Sequence, residues 1–283
     1  MIYTLFNPKA NSGHGEQTKE EALPLIKEKF GDEIEDRSVI DLDVEKFLQE
    51  LKKDDKVILF GGDGTLYHFA NSVYGKKLPC SFYLYKAGTG NDFLRDVESE
   101  VKDNLLELNK YLENLPLVKV NDIEARYLNG IGYGIDGMAC EVADKKIAEG
   151  AKKVDYAGIS IGLVLHGYRP RTAKITIDGV TTEFKKVWIA SAMNGRFYGG
   201  GMMACPDQDR LSDHLSVLVW HGTNKLKTLL LFPKIFKGEH VKSTKHVAIL
   251  TGKEITIEYD EPCALQIDGE TVLNVKSFTA IKK

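Results

Sequence analysis

The sequence predicts an α/β domain built from βαβ units around a parallel sheet, followed by a mainly-β domain with helical insertions. In the first part of the chain, short apolar stretches alternate with amphipathic stretches of helical length, which is the order that βαβ units give. After about Pro116 the pattern changes to alternating apolar and polar residues, which is typical of antiparallel strands. Several of these strands are joined by Asp-Gly or Gly turns, as in β-hairpins.

We place the domain boundary near residue 118. A chain of 283 residues is long enough to form two hydrophobic cores. The prediction is therefore a catalytic α/β domain at residues 1–118 and a β-rich domain at residues 119–283. The last strand either stays in the second domain or returns to the first.

The first domain is expected to contain three strands and four helices. Val57 to Phe60 is a continuous apolar run, which favours a strand that is buried on both faces of a parallel sheet. The predicted strands are residues 2–6, 57–60 and 81–85, and the predicted helices are residues 16–30, 44–53, 66–74 and 102–114.

The second domain is expected to be an antiparallel sheet interrupted by helices. Asp178-Gly179 marks one hairpin turn within it. The predicted strands are residues 118–123, 174–177, 187–192, 215–220, 254–258, 264–267 and 272–281, and the predicted helices are residues 140–152, 156–168 and 225–236.

Composition and charge exclude several classes of protein. The chain is 43% hydrophobic and 28% charged, which is ordinary for a globular protein. A net charge of -3 argues against nucleic acid as a partner, because binding to a phosphate backbone needs a strongly basic face. The four cysteines include no CxxC pair, so we expect reduced thiols and a cytoplasmic location. The apolar stretches are shorter than the roughly 20 residues of a membrane span, so membrane contact is expected to be peripheral.

A glycine-rich turn follows the apolar run 57–60. Gly61, Gly62 and Gly64 let the backbone turn tightly and present N–H groups to an anion, and Thr65 can begin a helix. Asp63 is unusual beside an anion unless a cation such as Mg²⁺ is also bound. The alternative is an ordinary strand-to-helix turn in which Asp63 caps the helix.

Two further polar turns follow the other predicted strands of this domain. Because ligands bind at the carboxyl ends of parallel strands, these turns are candidates for one nucleotide site. Read alone, the turn after the first strand is more simply a common strand-to-helix loop. The candidate residues are Asn7, Pro8 and Ser12 after the first strand, and Gly88, Thr89, Gly90, Asn91 and Asp92 after the third.

The turn at 61–65 is neither a GxxxxGK[ST] loop nor a GxGxxG loop. It resembles the loop of diacylglycerol kinases, sphingosine kinases, NAD kinases and, more distantly, phosphofructokinases. Six ordered motifs together resemble the diacylglycerol kinase catalytic family, in particular its bacterial soluble lipid kinases. These motifs are Asn7 to Gly13, Gly61 to Thr65, Gly88 to Phe93, Asn129 to Gly137, Asn194 to Met202 with Pro206, and Asp268-Gly269-Glu270.

The resemblance implies a two-domain enzyme that uses ATP and Mg²⁺ to phosphorylate a lipid hydroxyl in the cleft between its domains. Asp63 would act with Mg-ATP, the turns at 61–65 and 88–90 would hold phosphates, and Glu270 would be the general base. Read alone, residues 268–270 are better explained as a type I′ hairpin turn, and it is their place after the other motifs that favours the catalytic role. The residues expected to line the substrate cleft are Asn194, Gly199, Gly200 and Asp268.

Two departures from the family pattern affect the expected site. His68 stands where the family usually has a glutamate, which puts the nucleotide or phosphate geometry in question. The family's DGxL segment, associated in some members with a structural Mg²⁺, appears here as residues 209–215, with His214 where a glycine is expected. We therefore assign no metal to Asp209 or Asp213.

The predicted function is an ATP-dependent lipid kinase acting on diacylglycerol or a related lipid alcohol in phospholipid biosynthesis. The alternatives are an enzyme like NAD kinase and a non-catalytic lipid-binding or nucleotide-binding relative. The expected partners are ATP and a lipid at a membrane surface, and a homodimer is the oligomer considered. Residues 223–237 read either as a basic amphipathic helix that contacts anionic headgroups or as a helix packed on the β domain.

Overall fold

The computed structural model describes residues 1–7, 15–87, 91–151 and 154–283. The chain divides into two compact units, Met1–Leu115 and Pro116–Lys283. Across the described residues, no helix is both long and apolar enough to cross a membrane.

The first unit is an α/β structure around a sheet with the strand order β2-β1-β3-β4-β5. Strands β1 to β4 pair in parallel, and β5 is antiparallel to β4. The strands are β1 (Ile2–Phe6), β2 (Ile34–Ser38), β3 (Lys56–Gly61), β4 (Ser81–Lys86) and β5 (Leu105–Glu107). The helices are α1 (Gly15–Phe30), α2 (Val44–Glu50), α3 (Asp63–Val73), α4 (Asp92–Asp96) and α5 (Asn109–Leu112).

The central strand β3 explains why this sheet forms. Its residues 57–60 are almost completely buried, as expected for a strand that is covered on both faces. Ile58 and Phe60 pack with Ala22 and Ile26 of α1 in one hydrophobic cluster. Burial of such side chains contributes about 1.5–3 kcal/mol each, so this cluster fixes the sheet register.

The helix predicted over residues 102–114 is wrong. Asp103 and Asn104 both have positive φ, 53° and 60°, and a helix cannot pass through two consecutive left-handed residues. The turn that they form leads into β5, whose Leu105 and Leu106 are buried, and only the short α5 follows.

Strand β2 was not predicted, because its sequence is polar and it lies at the sheet edge. Arg37 stabilises it by lying over the rings of Tyr3 and Phe47 and by pairing with Glu35 and Glu50. Strand β2 is thus stabilised by contacts with residues distant in the sequence, and the pattern of its own residues does not indicate a strand.

The second unit is mainly β, with helical insertions. Its helices are α6 (Ile135–Ala148), α7 (Tyr156–Gly162), which continues as a π-helical turn at Leu163–Gly167, and α8 (Lys225–Leu231), which continues as a 3-10 helix at Phe232–Lys237. The strands are β6 (Leu117–Val120), β7 (Ile123–Arg126), β8 (Gly130–Gly134), β9 (Arg171–Ile177), β10 (Val180–Met193), β11 (Phe197–Tyr198), β12 (Met202–Met203), β13 (Leu215–His221), β14 (Val247–Gly252), β15 (Glu254–Ile267) and β16 (Glu270–Ile281).

Most of these strands form one antiparallel sheet. The hydrophobic core of this unit is a second cluster, which contains Trp188 and Trp220. The strand order of the sheet is β14-β13-β10-β8-β15-β16-β6-β7, with β9 paired to β10 and β15. The last strand, β16, pairs with β15 and β6, so it does not return to the first unit. The two strands predicted at 254–258 and 264–267 form one strand, β15, whose pairing with β16 shifts register between Glu258 and Cys263. The predicted fold class, α/β followed by a mainly-β domain, is confirmed.

We predict that Gly137→Ala destabilises the second unit. A Cβ on Gly137 in α6 would lie 2.1 Å from the carbonyl oxygen of Ala264 in β15, so the helix and the strand would have to separate. The expected loss is about 1–3 kcal/mol of unfolding free energy, measured by urea denaturation.

Gly162→Ala is the matched control, because a Cβ there meets nothing within 4 Å. It should leave stability unchanged or raise it by about 0.5–1 kcal/mol, since alanine favours a helix over glycine. Equal stability of Gly137→Ala and the unsubstituted protein would show that α6 does not pack closely on β15.

Candidate active site

The carboxyl ends of three neighbouring parallel strands, β1, β3 and β4, lie together at one end of the sheet of the first unit, which we call the carboxyl edge. Strand β1 lies beside β3 and β3 beside β4, with Phe6 opposite Phe60 and Phe60 opposite Tyr85. Asn7 follows β1, and Gly62 follows β3. The predicted site residues Pro8, Ser12, Gly88, Thr89 and Gly90 lie outside the described residues.

Asp63 joins two of the sequence motifs through hydrogen bonds. One carboxylate oxygen accepts from the backbone N–H of Asp92 at 2.9 Å, and the other accepts from Phe93 N–H at 3.0 Å. Asp63 is in the first turn of α3, and the two donors are in the first turn of α4. Asn91, directly before α4, is left-handed with φ 51°. The carboxylate thus caps the neighbouring helix and joins the start of α3 to the start of α4.

The start of α3 is suited to binding an anion. A Cβ on Gly61 would lie 2.4 Å from the Cβ of Thr65, so only glycine allows this close turn. Gly62 is the N-cap and supplies no side-chain acceptor for the first N–H groups of the helix. Such N–H groups, together with the positive end of the helix dipole, favour phosphate oxygens.

A cavity of about 890 Å³ adjoins the same edge of the first unit. Lys86 at the end of β4, Asn91 and Arg95 of α4 are among the residues that line it. Lys86 and Arg95 were not predicted as site residues, although both flank the predicted turn at 88–90. Glu98 and Asp103 also line this cavity, so its lining carries charges of both signs. Lys86 and Arg95 are the lining groups that are suited to contact an anionic ligand such as a nucleotide.

The side chains and N–H groups at these strand ends are of the types that bind a nucleotide together with Mg²⁺. Mg²⁺ is commonly bound by one or two carboxylates together with substrate phosphates and water, and Asp63 is the carboxylate nearest the glycine turn. Each carboxylate oxygen can accept more than one interaction, so its bonds to α4 leave coordination capacity. His68 lies on an exposed position of α3, where its ring contacts that of Tyr67 at a centroid distance of 5.2 Å.

In the second unit, Asp268 fastens the last hairpin to the start of β8. Its carboxylate accepts from the backbone N–H groups of three consecutive residues, Leu128 at 2.5 Å, Asn129 at 2.9 Å and Gly130 at 3.0 Å. Asp268 and Gly269 both have positive φ, 47° and 101°, as a type I′ hairpin turn requires. The hairpin interpretation of residues 268–270 is therefore correct for their backbone.

Asn194 binds the same segment from the end of β10. Its side-chain N–H₂ donates to the carbonyl of Leu128 at 2.9 Å, and its backbone N–H donates to the carbonyl of Asn129 at 2.9 Å. Asn194 and Asp268, both predicted to line the substrate cleft, are thus brought together on residues 128–130. Gly199 and Gly200 lie in the turn between β11 and β12, with φ 61° and 81°.

Two buried cations complete this cluster, and neither was predicted. The guanidinium of Arg210 donates to the side-chain oxygen of Asn129 at 3.2 Å. The ammonium of Lys282 donates to the side-chain oxygen of Asn194 and to the carbonyl of Arg210, both at 2.6 Å. Burial, reinforced by the charge of Arg210, lowers the pKa of Lys282 from 10.5 to about 8.

A pattern in the sequence could have indicated Lys282. Along β16 the side chains of Phe278 and Ala280 face the interior, and the alternation of a strand puts Lys282 on the same face. A lysine that continues an apolar face is unusual, because an unpaired buried ammonium is costly. The partners of Lys282 lie more than 70 residues away, so the sequence did not reveal how its charge is accommodated.

Glu270, the predicted general base, is the first residue of β16 and is exposed. It lies two residues beyond Asp268, whose carboxylate fixes the hairpin turn. A proton acceptor must reach a substrate hydroxyl at about 2.6–3.2 Å, which an exposed carboxylate on a fixed turn allows.

A separate buried carboxyl lies in the first turn of α6. Asp136 accepts hydrogen bonds from the hydroxyls of Tyr198 and of Ser191, the latter at 3.1 Å. Burial raises the pKa of Asp136 to about 6, although both hydrogen bonds favour its charged form. This group ties α6 to β10 and β11 and was predicted only as part of a family motif.

The acidic residues of the 209–215 segment are bound to protein groups. Asp213 forms an ion pair with Lys253 at 2.5 Å, and Asp209 accepts the backbone N–H of Leu211 at 2.9 Å. Within the described parts of the chain, no group of three His, Cys, Asp or Glu side chains is placed to hold a metal ion.

We predict that Lys282 makes stability depend on pH between about 8 and 10.5. In that range the unfolded chain holds a proton that the folded protein releases, because the folded pKa is the lower one. The free energy of unfolding should rise with pH there by up to about 3 kcal/mol relative to Lys282→Met, which has no such group. Urea denaturation at pH 7, 8, 9 and 10 measures this difference.

Lys283→Met is the matched control, since Lys283 is the exposed neighbouring lysine. It should change stability equally at every pH. A pH dependence of Lys282→Met that parallels that of the unsubstituted protein would mean that Lys282 has an ordinary pKa and is not buried.

Comparisons with known proteins agree with the family that the motifs indicate. A family model described as "Diacylglycerol kinase catalytic domain" matches residues 1–120. A second, described as "YegS C-terminal NAD kinase beta sandwich-like domain", matches residues 129–280.

Individual relatives are similar over most of the chain. The protein named "Diacylglycerol kinase" from Mycobacterium tuberculosis (strain H37Rv) is 27% identical over 214 residues, which are 73% of this chain and 68% of that protein. "Putative lipid kinase YtlR" from Bacillus subtilis (strain 168) is 27% identical over 242 residues, 79% of this chain and 76% of that protein. A solved structure of "a putative diacylglycerol kinase from Bacillus anthracis str. Sterne" has the same fold, with a TM-score of 0.71 at 21% identity, and covers 98% of this chain and 91% of that one. The chain therefore belongs to the diacylglycerol kinase catalytic family, as its six motifs predict.

Proposed function

We propose that this protein transfers the γ-phosphate of ATP to the hydroxyl of diacylglycerol or a related lipid alcohol. Membership of the family indicates a lipid kinase. We propose ATP as the phosphate donor and diacylglycerol or a related lipid alcohol as the acceptor. The observation that carries it is the bonding of Asp63 to the start of α4, because it joins the glycine turn after β3 to the helix that begins the next motif.

On the donor side, the N–H groups at the start of α3 would bind phosphate oxygens of ATP, and Thr65 would contribute its hydroxyl. Lys86 and Arg95 would add positive charge from the adjoining cavity. Mg²⁺, proposed to be bound through Asp63, would neutralise charge on the transferred phosphoryl group. Phosphoryl transfer depends mainly on such positioning and electrostatic stabilisation.

On the acceptor side, Glu270 would take the proton of the lipid hydroxyl. The hydroxyl oxygen then forms a bond to the γ-phosphorus while the bond from that phosphorus to the β–γ bridging oxygen breaks, which releases ADP. Asp268, Asn194 and Lys282 act indirectly in this proposal, because they fix the segment and the hairpin that carry Glu270.

We also propose that the enzyme works in the cytoplasm at a membrane surface and serves phospholipid biosynthesis. The product would be a phosphorylated lipid alcohol, which has the chemical structure of a phospholipid precursor. Its substrate is confined to a bilayer, so the protein would have to contact that surface.

The proposed function is tested by phosphate transfer from γ-labelled ATP with Mg²⁺. Diacylglycerol dispersed in detergent, a total lipid extract and NAD are offered as acceptors in parallel reactions. Label should appear in the lipid phase and not in NAD. Label in NAD alone would establish the NAD kinase alternative, and the absence of label from every acceptor would favour a non-catalytic binding protein.

We predict that Glu270→Gln lowers kcat for phosphate transfer about 10²- to 10⁴-fold. Glutamine keeps the size of the side chain but cannot accept the hydroxyl proton. The Kd for ATP should stay nearly unchanged, because the residue acts on the acceptor. Steady-state kinetics and equilibrium nucleotide binding give the two values.

The control for this variant is Glu254→Gln, an exposed glutamate at the start of β15. It should retain normal kcat. A Glu270→Gln enzyme with nearly normal kcat would show that residues 268–270 are only a structural turn.

We predict that Asp63→Asn abolishes phosphate transfer and leaves the protein folded. The variant loses the charge proposed to act with Mg-ATP, and asparagine replaces one of the two oxygens that accept from α4. Loss of one charge-assisted hydrogen bond should lower the unfolding free energy by about 1–3 kcal/mol. Activity at saturating Mg²⁺ and urea denaturation are measured on the same preparation.

The comparison for this charge change is Asp54→Asn, because Asp54 is an exposed aspartate before β3. It should alter neither activity nor stability. Normal turnover of Asp63→Asn would remove Asp63 from the donor site and leave it the role of a helix cap.

A further inference from the structure

An exposed apolar surface with a basic border lies on the helices of the second unit. Leu226 and Leu230, four residues apart on α8, are 68% and 67% exposed. Ile161 and Leu165, also four residues apart, are 42% and 38% exposed at the end of α7 and in the π-helical turn. We call these four side chains, together with Lys225, Lys227, Lys234 and Lys237, the leucine–lysine face.

A hydrogen bond joins the two segments of this face. The ammonium of Lys225 in α8 donates to the carbonyl of Leu165 at 2.6 Å, and α8 packs against the π-helical turn. The opposite side of α8 is anchored, since Thr228 and Leu231 are buried. The exposed leucines therefore belong to a helix that is fixed in place, and their exposure is not caused by a loose segment.

The two segments of this face carry positive charge, and acidic residues only flank them, Asp155 before α7 and Glu239 after the 3-10 helix. Residues 223–238 contain four lysines and no acidic residue, and residues 156–170 contain Arg169 and no acidic residue, in a chain with a net charge of -3. Among the described residues, Lys225, Lys227, Lys234 and Lys237 form no ion pair with a carboxylate. Lys225 binds the Leu165 carbonyl and Lys227 binds His246 at 2.7 Å, so neither charge is neutralised.

Packing on the β domain accounts for only one side of this helix. The sequence left two interpretations of residues 223–237, a membrane-contacting helix and a helix packed on the β domain. The packed helix explains why four side chains are buried, namely Thr228, Leu231, Phe232 and Ile235. Packing does not explain Leu226 and Leu230 on the other side, which are each about two-thirds exposed. Neighbouring exposed apolar side chains of this kind mark interaction surfaces.

We propose that the leucine–lysine face docks the enzyme on an anionic lipid bilayer. The leucines and isoleucine would enter the headgroup region, and the lysines would contact anionic headgroups, as in helices that lie in a membrane interface. An anionic bilayer matches both the apolar centre and the positive border. This inference rests on the proposed lipid kinase function for its purpose, although vesicle binding tests it without any assay of activity.

The test is cosedimentation of the full chain with vesicles of phosphatidylcholine alone or with 30% phosphatidylglycerol, at two salt concentrations. The protein should bind the anionic vesicles at low salt and bind more weakly at high salt. Leu226→Ser with Leu230→Ser should weaken binding at least tenfold, since both contacts with the interface are lost. Lys234→Gln with Lys237→Gln should weaken it about 25-fold, at roughly fivefold for each lysine, and should reduce the salt dependence, while Lys225 and Lys227 remain charged.

The controls carry the same substitutions elsewhere. Val180→Ser with Ile123→Ser removes exposed apolar side chains from two hairpin strands, and Lys53→Gln with Lys185→Gln removes exposed lysines. Both control variants should bind vesicles normally. Equal weakening by the control variants, or no binding to anionic vesicles by the unsubstituted protein, would overturn the proposal.

Two more measurements distinguish vesicle docking from catalysis and from self-association. On detergent-dispersed diacylglycerol, the leucine variant should be as active as the unsubstituted enzyme, so a failure of vesicle docking is distinct from a failure of the proposed kinase function. Light scattering measures the oligomeric state. A dimer that dissociates in the leucine variant, with unchanged vesicle binding, would assign the face to contact with a second copy and reject the membrane.

Discussion

The candidate acceptor site depends on one interaction, the carboxylate of Asp268 bound to three consecutive backbone N–H groups. These bonds connect a hairpin near the end of the chain to residues 128–130, about 140 positions earlier. The carbonyls of the same segment are bound by Asn194 and Arg210. A backbone segment held on both its donor and its acceptor groups has few alternatives, so the hairpin carrying Glu270 is rigid where a general base needs to be positioned.

The first unit uses a carboxylate in the same way. Asp63 accepts two backbone N–H groups at the start of α4, so the acid of the glycine turn fixes the neighbouring motif as well as providing charge. A carboxylate is suited to this because it accepts strong hydrogen bonds on both oxygens and favours a helix N-terminus. Asp63 and Asp268 therefore each have a structural reason to be present, and this reason is independent of catalysis.

The sequence predicted features that are local in the chain. The apolar run 57–60 predicted β3, and the Asp-Gly pairs predicted two hairpin turns, because both depend on neighbouring residues. The helix over 102–114 failed at two left-handed residues, a conformation that Asp and Asn allow but do not require. Arg210 and Lys282 were missed because their function arises from partners more than 70 positions away, which only the fold brings together.

The proposed tasks divide between the two units. Phosphate binding is assigned to the first unit, through the start of α3 and Asp63, whereas the proton acceptor Glu270 and the leucine–lysine face both belong to the second. Residues in one folded body keep a fixed geometry, because the sheet that carries the hairpin also supports α8 through its packed side. Docking by the leucine–lysine face would therefore set the height of Glu270 above the bilayer. The preferred lipid would then depend on the second unit, and changes there could alter the acceptor without altering the glycine turn that handles ATP.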